Sequence, residues 1–327
     1  MSEDTDTKTL RQPAPFDDPI PDGGYRWWYL DAVSDDGRHA LTAIVFVGSV
    51  FSPWYRRARS RGPAPALDHC AVNLALYGPI ERWCMTERPA RNIRADATSL
   101  SIGASRLSQD GEQLVLDIDE RCMPPAHRLR GRIVAEVPDA MRAESVHLDE
   151  QQRHRWQPLA PQTRVQVAMD DPALSWHGTA YVDSNRGDIP LEDSFRTWHW
   201  SRSHAADGST RVRYDVIERD GQEYARTLDI APNGETRCGP AGQPCTLAPT
   251  RWFGMPRPTR LADGASAEQL QTLENAPFYS RSRLIEAVDG EQRQTVHESL
   301  DMDRFTKRST QLLLPFRTPR LPYTGGR

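Results

Sequence analysis

The chain has few cysteines, almost no lysine and no long apolar run. Its cysteines (Cys70, Cys84, Cys122, Cys238 and Cys245) are odd in number and include no closely spaced metal-binding pair. Cys238 and Cys245 flank a Gly- and Pro-containing loop and have the spacing to close a hairpin, but reduced thiols are expected in a cytoplasmic chain. No stretch approaches the roughly 18 apolar residues of a spanning helix. The longest apolar stretch, 40–51, has the length of a buried strand and its turn. Positive charge is nearly all arginine, and 41 Lys+Arg against 45 Asp+Glu leave a formal charge of −4. That balance gives no general attraction to nucleic acid. Dinucleotide, P-loop, His-Glu-x-x-His and EF-hand patterns are absent, which speaks against nucleotide and metal chemistry, and Gly-x-Ser-x-Gly is absent as well. Neither a cofactor nor a metal is expected.

The first residues are acidic, polar and Pro-rich, without the basic and apolar regions of a signal peptide. They predict a disordered lead over residues 1–22 and a cytoplasmic protein. Near the other end, LPYTG matches a sorting pattern that works only before an apolar anchor and a basic tail. Two residues follow it here, and the match is taken as coincidence.

What is present is a soluble globular composition, 38 % hydrophobic with mean hydropathy −0.67. At 327 residues the chain can hold two domains. Short strand-like segments recur, separated by Gly, Asp and Asn turns. Residues 24–33, 39–50, 68–77, 82–87 and 128–137 read as strands, and 99–120 as a hairpin broken at Gln-Asp-Gly. Residues 164–169, 174–183, 196–202, 210–219, 222–230, 279–288 and 294–302 continue the pattern. Only 265–274 reads as a helix, with a short helical turn within 137–149. About fifteen strands are too many for one small barrel and predict an all-β protein of two tandem antiparallel barrels or sandwiches. The join is placed near 190, giving domains 23–190 and 191–327.

Two stretches carry chemistry. The first, 154–204, holds Trp156, Trp176, Trp198 and Trp200, together with His154, His177, His199 and His204. Aromatic walls beside a few ionisable groups suit proton chemistry on a large apolar substrate. In an extended chain His154 and Trp156 share a face, as do Tyr181 and Asp183. Core packing for the tryptophans and turn capping for Asp183 are the competing roles. Trp198 and Trp200 share a face in a second aromatic segment that follows Glu192. The second stretch sets Trp54 and Tyr55 beside Arg56, Arg57, Arg59 and Arg61. Such residues suit contact with anionic lipid or, equally, a solvated loop.

The segments PDGGYRWWYLDAVSDDGRHALTAIVFVGSVFSPWY, DHCAVNLALYG and GTAYVDSNRGDIPLEDSFRTWHWSRS resemble the bacterial carotenoid 1,2-hydratases, also called hydroxyneurosporene synthases. The likeness runs from about residue 21 to about 317, and the third block is its most specific part. The resemblance implies two tandem lipocalin-like domains. It also implies cofactor-independent addition of water to the terminal C1,2 double bond of acyclic carotenoids such as neurosporene or lycopene, in pigment synthesis by photosynthetic bacteria. A His-x-Trp and a Tyr-x-Asp pair are implicated in that catalysis. Their matches here are His154, Trp156, Tyr181 and Asp183. Trp198, Trp200 and Glu192 are read from the residues as substrate contacts, in a segment that is either the far wall of the pocket or the junction into the second domain. A membrane-confined substrate implies a peripheral place on the inner membrane, with Trp54, Tyr55, Arg56 and Arg57 as the docking candidates. The reaction needs a strong acid at C2, assigned to Asp183, π-faces near the resulting C1 cation, and a group to activate water, assigned to His154. Tyr181 either faces the cation or orients Asp183, and Asp183 as base remains open. A non-catalytic carrier of apolar ligands and an enzyme of another terpenoid are the rival readings.

Overall fold

The computed structural model describes residues 14–122, 127–288 and 290–320. Residues 1–13 and the LPYTG segment lie outside them. By internal contacts the chain separates into two compact units. Unit 1 runs to Pro190 and takes up the chain again from Leu313, and unit 2 is Leu191–Leu312.

Unit 1 is built on β1 (Tyr25–Ser34), β2 (Ala40–Val47), β3 (Cys70–Tyr77), β4 (Arg82–Arg88), β5 (Ile93–Asp96), β6 (Ser99–Ile102), β7 (Ser105–Asp110), β8 (Gln113–Arg121), β9 (Arg128–Glu136), β10 (Val146–His147), β11 (His154–Asp171) and β12 (Ala173–Gly187). They form one antiparallel sheet in the order β4-β3-β2-β1-β12-β11-β9-β8-β7-β6-β5, with β10 attached to β11. The sheet curls into a nearly closed barrel. Its β4 edge reaches β8, where Arg88 Nη2 lies 3.1 Å from Glu120 Oε2 and Thr86 Oγ1 donates to the same oxygen. Ser105 on β7 donates to Glu120 Oε1 at 2.8 Å. Both carboxylate oxygens of Glu120 thus accept hydrogen bonds, which lets the charge tolerate an apolar setting.

Alternation sorts the side chains. Trp28, Leu30 and Ala32 of β1, Leu41, Ala43 and Val45 of β2, and Ala180 and Val182 of β12 join one apolar core. The intervening residues of β1, β2, β3 and β12 are also largely buried. Burial on both faces explains why β2 and β3 read as near-continuous apolar runs.

Residues 14–22, expected within a disordered lead, include groups held against unit 1. Phe16 stacks on Trp28 with ring centroids 4.8 Å apart, and Ile20 packs on the core. Arg26 donates to Pro15 O at 2.6 Å and to Ala14 O at 2.8 Å. A buried guanidinium needs acceptors, and residues 14–18 supply them. Residues from Leu313, expected in the second domain, cluster with unit 1 for a similar reason. Trp54 Nε1 donates to Thr318 O at 3.1 Å, Glu87 N donates to Pro319 O at 3.1 Å, and Arg317 lies 4.1 Å over Trp83.

Unit 2 contains β13 (Phe195–His204), β14 (Thr210–Glu218), β15 (Glu223–Ile230), β16 (Thr236–Gly239), β17 (Gln243–Leu247), β18 (Arg257–Leu261), β19 (Ser266–Asn275), β20 (Tyr279–Val288) and β21 (Glu291–Asp301). Seven form a sheet in the order β16-β15-β14-β13-β21-β20-β19, and β17 pairs with β18. The β18 strand lies against one face of the sheet. There Arg260 Nε bonds Asp215 Oδ2 at 2.7 Å, and His297 Nε2 meets Pro258 O at 3.0 Å.

The helix expected over 265–274 is instead β19, an exposed edge strand with two register shifts against β20. Backbone pairing with β20 overrides the helix-forming Ala, Glu, Gln and Leu of this segment. The turn expected within 137–149 is a short 3-10 helix at Asp139–Met141. Pro158 and Pro161 hid the length of β11. They lie in a stretch where the ladder shifts register, between Pro158 and Thr163, which is where a strand tolerates proline.

Buried histidines make this fold acid-sensitive. Burial lowers His154 to about 4, His199 to about 3 and His297 to about 4, and takes His204 well below its usual value. An unfolded histidine titrates near about 6.5. Between that value and the lowered ones, the unfolded chain binds protons that the folded chain refuses. Stability is therefore fully present above about pH 6.5 and is lost as pH falls towards about 4. Urea midpoints measured from pH 7 to pH 4 are expected to fall, and His199→Gln and His297→Gln are expected to flatten that slope.

Candidate active site

The β1–β12 register places Tyr29 opposite Asp183, Asp31 opposite Tyr181, and Trp27 opposite Asn185. On the other side of β12, β11 sets Trp156 opposite Asn185 and His154 opposite Gly187. Opposed residues and residues two apart share a face. These side chains therefore line the sheet face turned away from the apolar core.

Asp183, 2 % exposed, is the centre of this face. Trp156 Nε1 and Tyr181 Oη both donate to its Oδ2 at 2.8 Å. Asn185 Nδ2 donates to Oδ1 at 3.3 Å. Trp156 and Tyr181 are fully buried, so aromatic rings wall the carboxyl and fix its orientation. The carboxamide Oδ1 of Asn185 is buried with no hydrogen-bond partner among the described residues. An amide turned over presents this oxygen in place of Nδ2, so Asn185 can serve either a carboxylate or a protonated acid.

His154 is not brought to Asp183. It sits opposite a residue four positions along β12 from the aspartate, about 13 Å along the strand. One ring nitrogen, Nδ1, is joined to the Tyr25 hydroxyl at 2.8 Å. Its backbone N–H donates to Asp149 Oδ1 at 2.8 Å. Burial keeps the imidazole neutral near pH 7, with its pKa at about 4. Burial also pushes the Tyr25 phenol well up, helped by the charge of Asp149.

The remaining expected residues are described within their own units. Trp198, Trp200 and Glu192 belong to unit 2. Trp198 packs edge-on against Phe195 and Tyr214, with centroids 5.1 and 5.4 Å away. The backbone oxygen of Glu192 accepts from Arg219 Nε at 2.7 Å. The lipid-docking candidates differ in exposure. The segment forms helix α1 (Pro53–Arg59), capped by Ser52 Oγ. Tyr55 is fully buried, its hydroxyl donating to Gly24 O at 2.7 Å and its ring stacked on His69. Trp54 is half-buried through its bond to Thr318, Arg56 is half-buried, and Arg57 is exposed. Trp54 and Arg57, three residues apart, share one side of this helix, while Tyr55 is turned inward.

Sequence reasoning missed Tyr29 and Asp31, whose hydroxyl-to-carboxylate bond is 3.0 Å, and also Tyr25 and Asn185. One signal was available. Tyr-Leu-Asp in 29–31 has the same spacing as Tyr-Val-Asp in 181–183. Among the described residues no group of three or more His, Cys, Asp or Glu is arranged to hold a metal ion.

The model of the family described as carotenoid hydratase CrtC matches residues 43–324. The chain belongs to this family. It is 46 % identical over 307 residues to an acyclic carotenoid 1,2-hydratase of Thiocapsa roseopersicina, covering 94 % of this chain and 75 % of that one. The corresponding protein of Rubrivivax gelatinosus is 45 % identical over 312 residues, covering 93 % and 75 %. Among solved structures, an AttH protein of Nitrosomonas europaea aligns with TM-score 0.59 at 14 % identity, over 86 % of this chain and 93 % of that one. CghA in complex with Sch210972 aligns with TM-score 0.56 at 11 % identity, over 89 % and 95 %. At such identity these two show a shared fold alone.

In this member of the carotenoid hydratase family, Gly187 is what allows Tyr25 and His154 to meet. A Cβ there would lie 2.3 Å from Tyr25 Cε1 and 2.7 Å from His154 Nδ1. Gly187→Ala is expected to destabilise the protein by about 1–3 kcal/mol, because two buried rings must shift. Equilibrium denaturation compared with wild type measures the loss.

Proposed function

We propose that this protein adds water to the terminal C1,2 double bond of an acyclic carotenoid such as lycopene or neurosporene. Family membership supports the substrate class. The single observation that supports the chemistry is Asp183, buried and held by Trp156, Tyr181 and Asn185. An alkene is a poor base, so hydration needs an oriented acid in a water-poor setting. Trp156 and Tyr181 both hold Oδ2, and we assign the transferable proton to Oδ1, the oxygen beside Asn185. Asn185 accommodates both protonation states by rotating its amide.

Protonation at C2 places the charge on C1, where the methyl groups and the chain stabilise a tertiary cation. The rings of Trp156 and Tyr181 flank the donor oxygen, and a desolvated cation over such a face gains about 2 kcal/mol. Tyr181 also orients Asp183 through its hydroxyl, so one residue serves both roles left open by the sequence. We assign His154 to positioning. Its bond to Tyr25 braces the end of β11 that carries Trp156. No cofactor takes part in this scheme. Two tandem lipocalin-like domains remain our reading of the two units.

Asp183→Asn is expected to lower hydration of lycopene in micelles by about 100-fold or more while the protein stays folded. Product mass gained as water is the readout, and near-wild-type turnover would remove Asp183 from the acid step. Tight lycopene binding with no hydroxylated product from the wild type would instead favour a non-catalytic carrier.

A carotenoid resides in the bilayer, so we also propose peripheral contact with the inner membrane. Helix α2 (Arg308–Arg317) exposes Leu312, Leu313 and Phe316 at 64, 53 and 72 %. Large apolar side chains on a short surface helix with flanking arginines suit the interface of an anionic bilayer. No helix among the described residues is long and apolar enough to cross a membrane. Leu312→Glu with Phe316→Glu is expected to abolish co-sedimentation with anionic vesicles. Unchanged sedimentation would refute this surface.

A further inference from the structure

The acid step leaves a second Tyr-x-Asp pair unused. On β1, Tyr29 Oη donates to Asp31 Oδ2 at 3.0 Å, just as Tyr181 Oη donates to Asp183 Oδ2 at 2.8 Å on β12. The register crosses the pairs, with each tyrosine opposite the other strand's aspartate. The two phenol rings meet edge to face, with centroids 6.1 Å apart at 65°. The four residues thus form a square related by a local two-fold axis between antiparallel strands. Asp31 is 3 % exposed and Asp183 2 %. They are diagonal neighbours on one face, a relation that separates strand positions by about 7 Å.

Adding H and OH across a double bond needs an acid for one carbon and a base for the water at the other. Where two carboxyl groups divide that work with a water between them, they stand roughly 6.5–9.5 Å apart. Asp31 and Asp183 stand on strand positions of that order apart, on one face of the sheet. His154 does not compete for the position, since it lies four residues along and is tied to Tyr25.

We propose that Asp31 is a second catalytic carboxylate, the base that takes the proton of the water attacking C1. The proposal rests on the hydration reading above. In the first step the Asp183 O–H bond breaks and the π electrons form the new C2–H bond, leaving C1 cationic. Next a water lone pair forms the C1–O bond while one water O–H bond breaks, its proton passing to Asp31. The alkene has gained one water, Asp183 is ionised and Asp31 is protonated. Return of one proton from Asp31 to Asp183 restores the starting state. Tyr29 holds Asp31 in place as Tyr181 holds Asp183.

The test separates protonation from capture by water. Wild type, Asp31→Asn, Asp31→Glu, Asp183→Asn and Tyr29→Phe are incubated with lycopene micelles in D2O. Hydroxylated product and deuterium in recovered lycopene are measured by mass spectrometry, with folding checked by circular dichroism. In Asp31→Asn, hydration is expected to fall about 100-fold or more. Deuterium still enters recovered lycopene, because the uncaptured cation carries one H and one D at C2 and, on losing the H to Asp183, returns to the alkene with the D in place. Asp183→Asn stops both processes, and Asp31→Glu restores part of the hydration. A folded Asp31→Asn at wild-type rate overturns the proposal, as does loss of hydration and exchange together, the mark of a merely structural role. Should Asp31→Asn not fold, Tyr29→Phe decides. Its ratio of exchange to hydration is expected to rise, and an unmoved ratio overturns the proposal. Wild type giving neither product nor deuterium overturns the hydration reading itself, and this assignment with it.

Discussion

The antiparallel pairing of β1 with β12 is the constraint on which unit 1 depends. It joins the first strand of the sheet to its last and runs without a shift from Tyr25 opposite Gly187 to Ser34 opposite Gly178. At one end a Cβ on Gly178 would lie 2.1 Å from Val33 O, and at the other a Cβ on Gly187 would strike Tyr25. Both ends of the ladder therefore require glycine. A slip of one residue would exchange the faces of every side chain, sending Asp183 into the apolar core and Val182 out of it. Register is thus over-determined, and with it the face on which each side chain of the candidate site stands.

That register divides the sheet into two environments. One face holds an aliphatic core closed at its edge by the Arg88–Glu120 pair. The other holds phenols, indoles, carboxyls and an imidazole in a hydrogen-bonded set. Buried polar groups at this density stabilise only when their partners are all present, and they then fix one arrangement. The pairing of Tyr25 with His154 and the donors on Asp183 supply such partners, and Asn185 Oδ1 is the atom of this set left without one among the described residues. The site is rigid because its groups stand on strands, where a carboxyl keeps its place better than on a loop.

Shared fold with AttH and CghA, at identities of 14 and 11 %, shows that the scaffold tolerates almost complete replacement of sequence. On such a scaffold function is set by particular side chains and not by the fold. The relatives that retain 45–46 % identity are the carotenoid hydratases.

Strand positions were legible wherever alternation was clean and turn residues bounded it. Residues 279–288 were read with the bounds that β20 has. The reading failed at 265–274, where edge pairing outweighs local helix propensity, and at Pro158 and Pro161, where irregular register absorbs residues that normally end a strand. Within the site, the spacing of Trp156, Tyr181 and Asp183 was visible, because residues two apart share a strand face whatever the neighbours are. The placing of His154 away from Asp183, the burial of Tyr55 and the meeting of Tyr29 and Asp31 with Tyr181 and Asp183 were not. Local sequence determines which side chains share a face within one strand. Which strands lie side by side, and in what register, is decided by packing and hydrogen bonding between segments about 150 residues apart, and only tertiary structure specifies that.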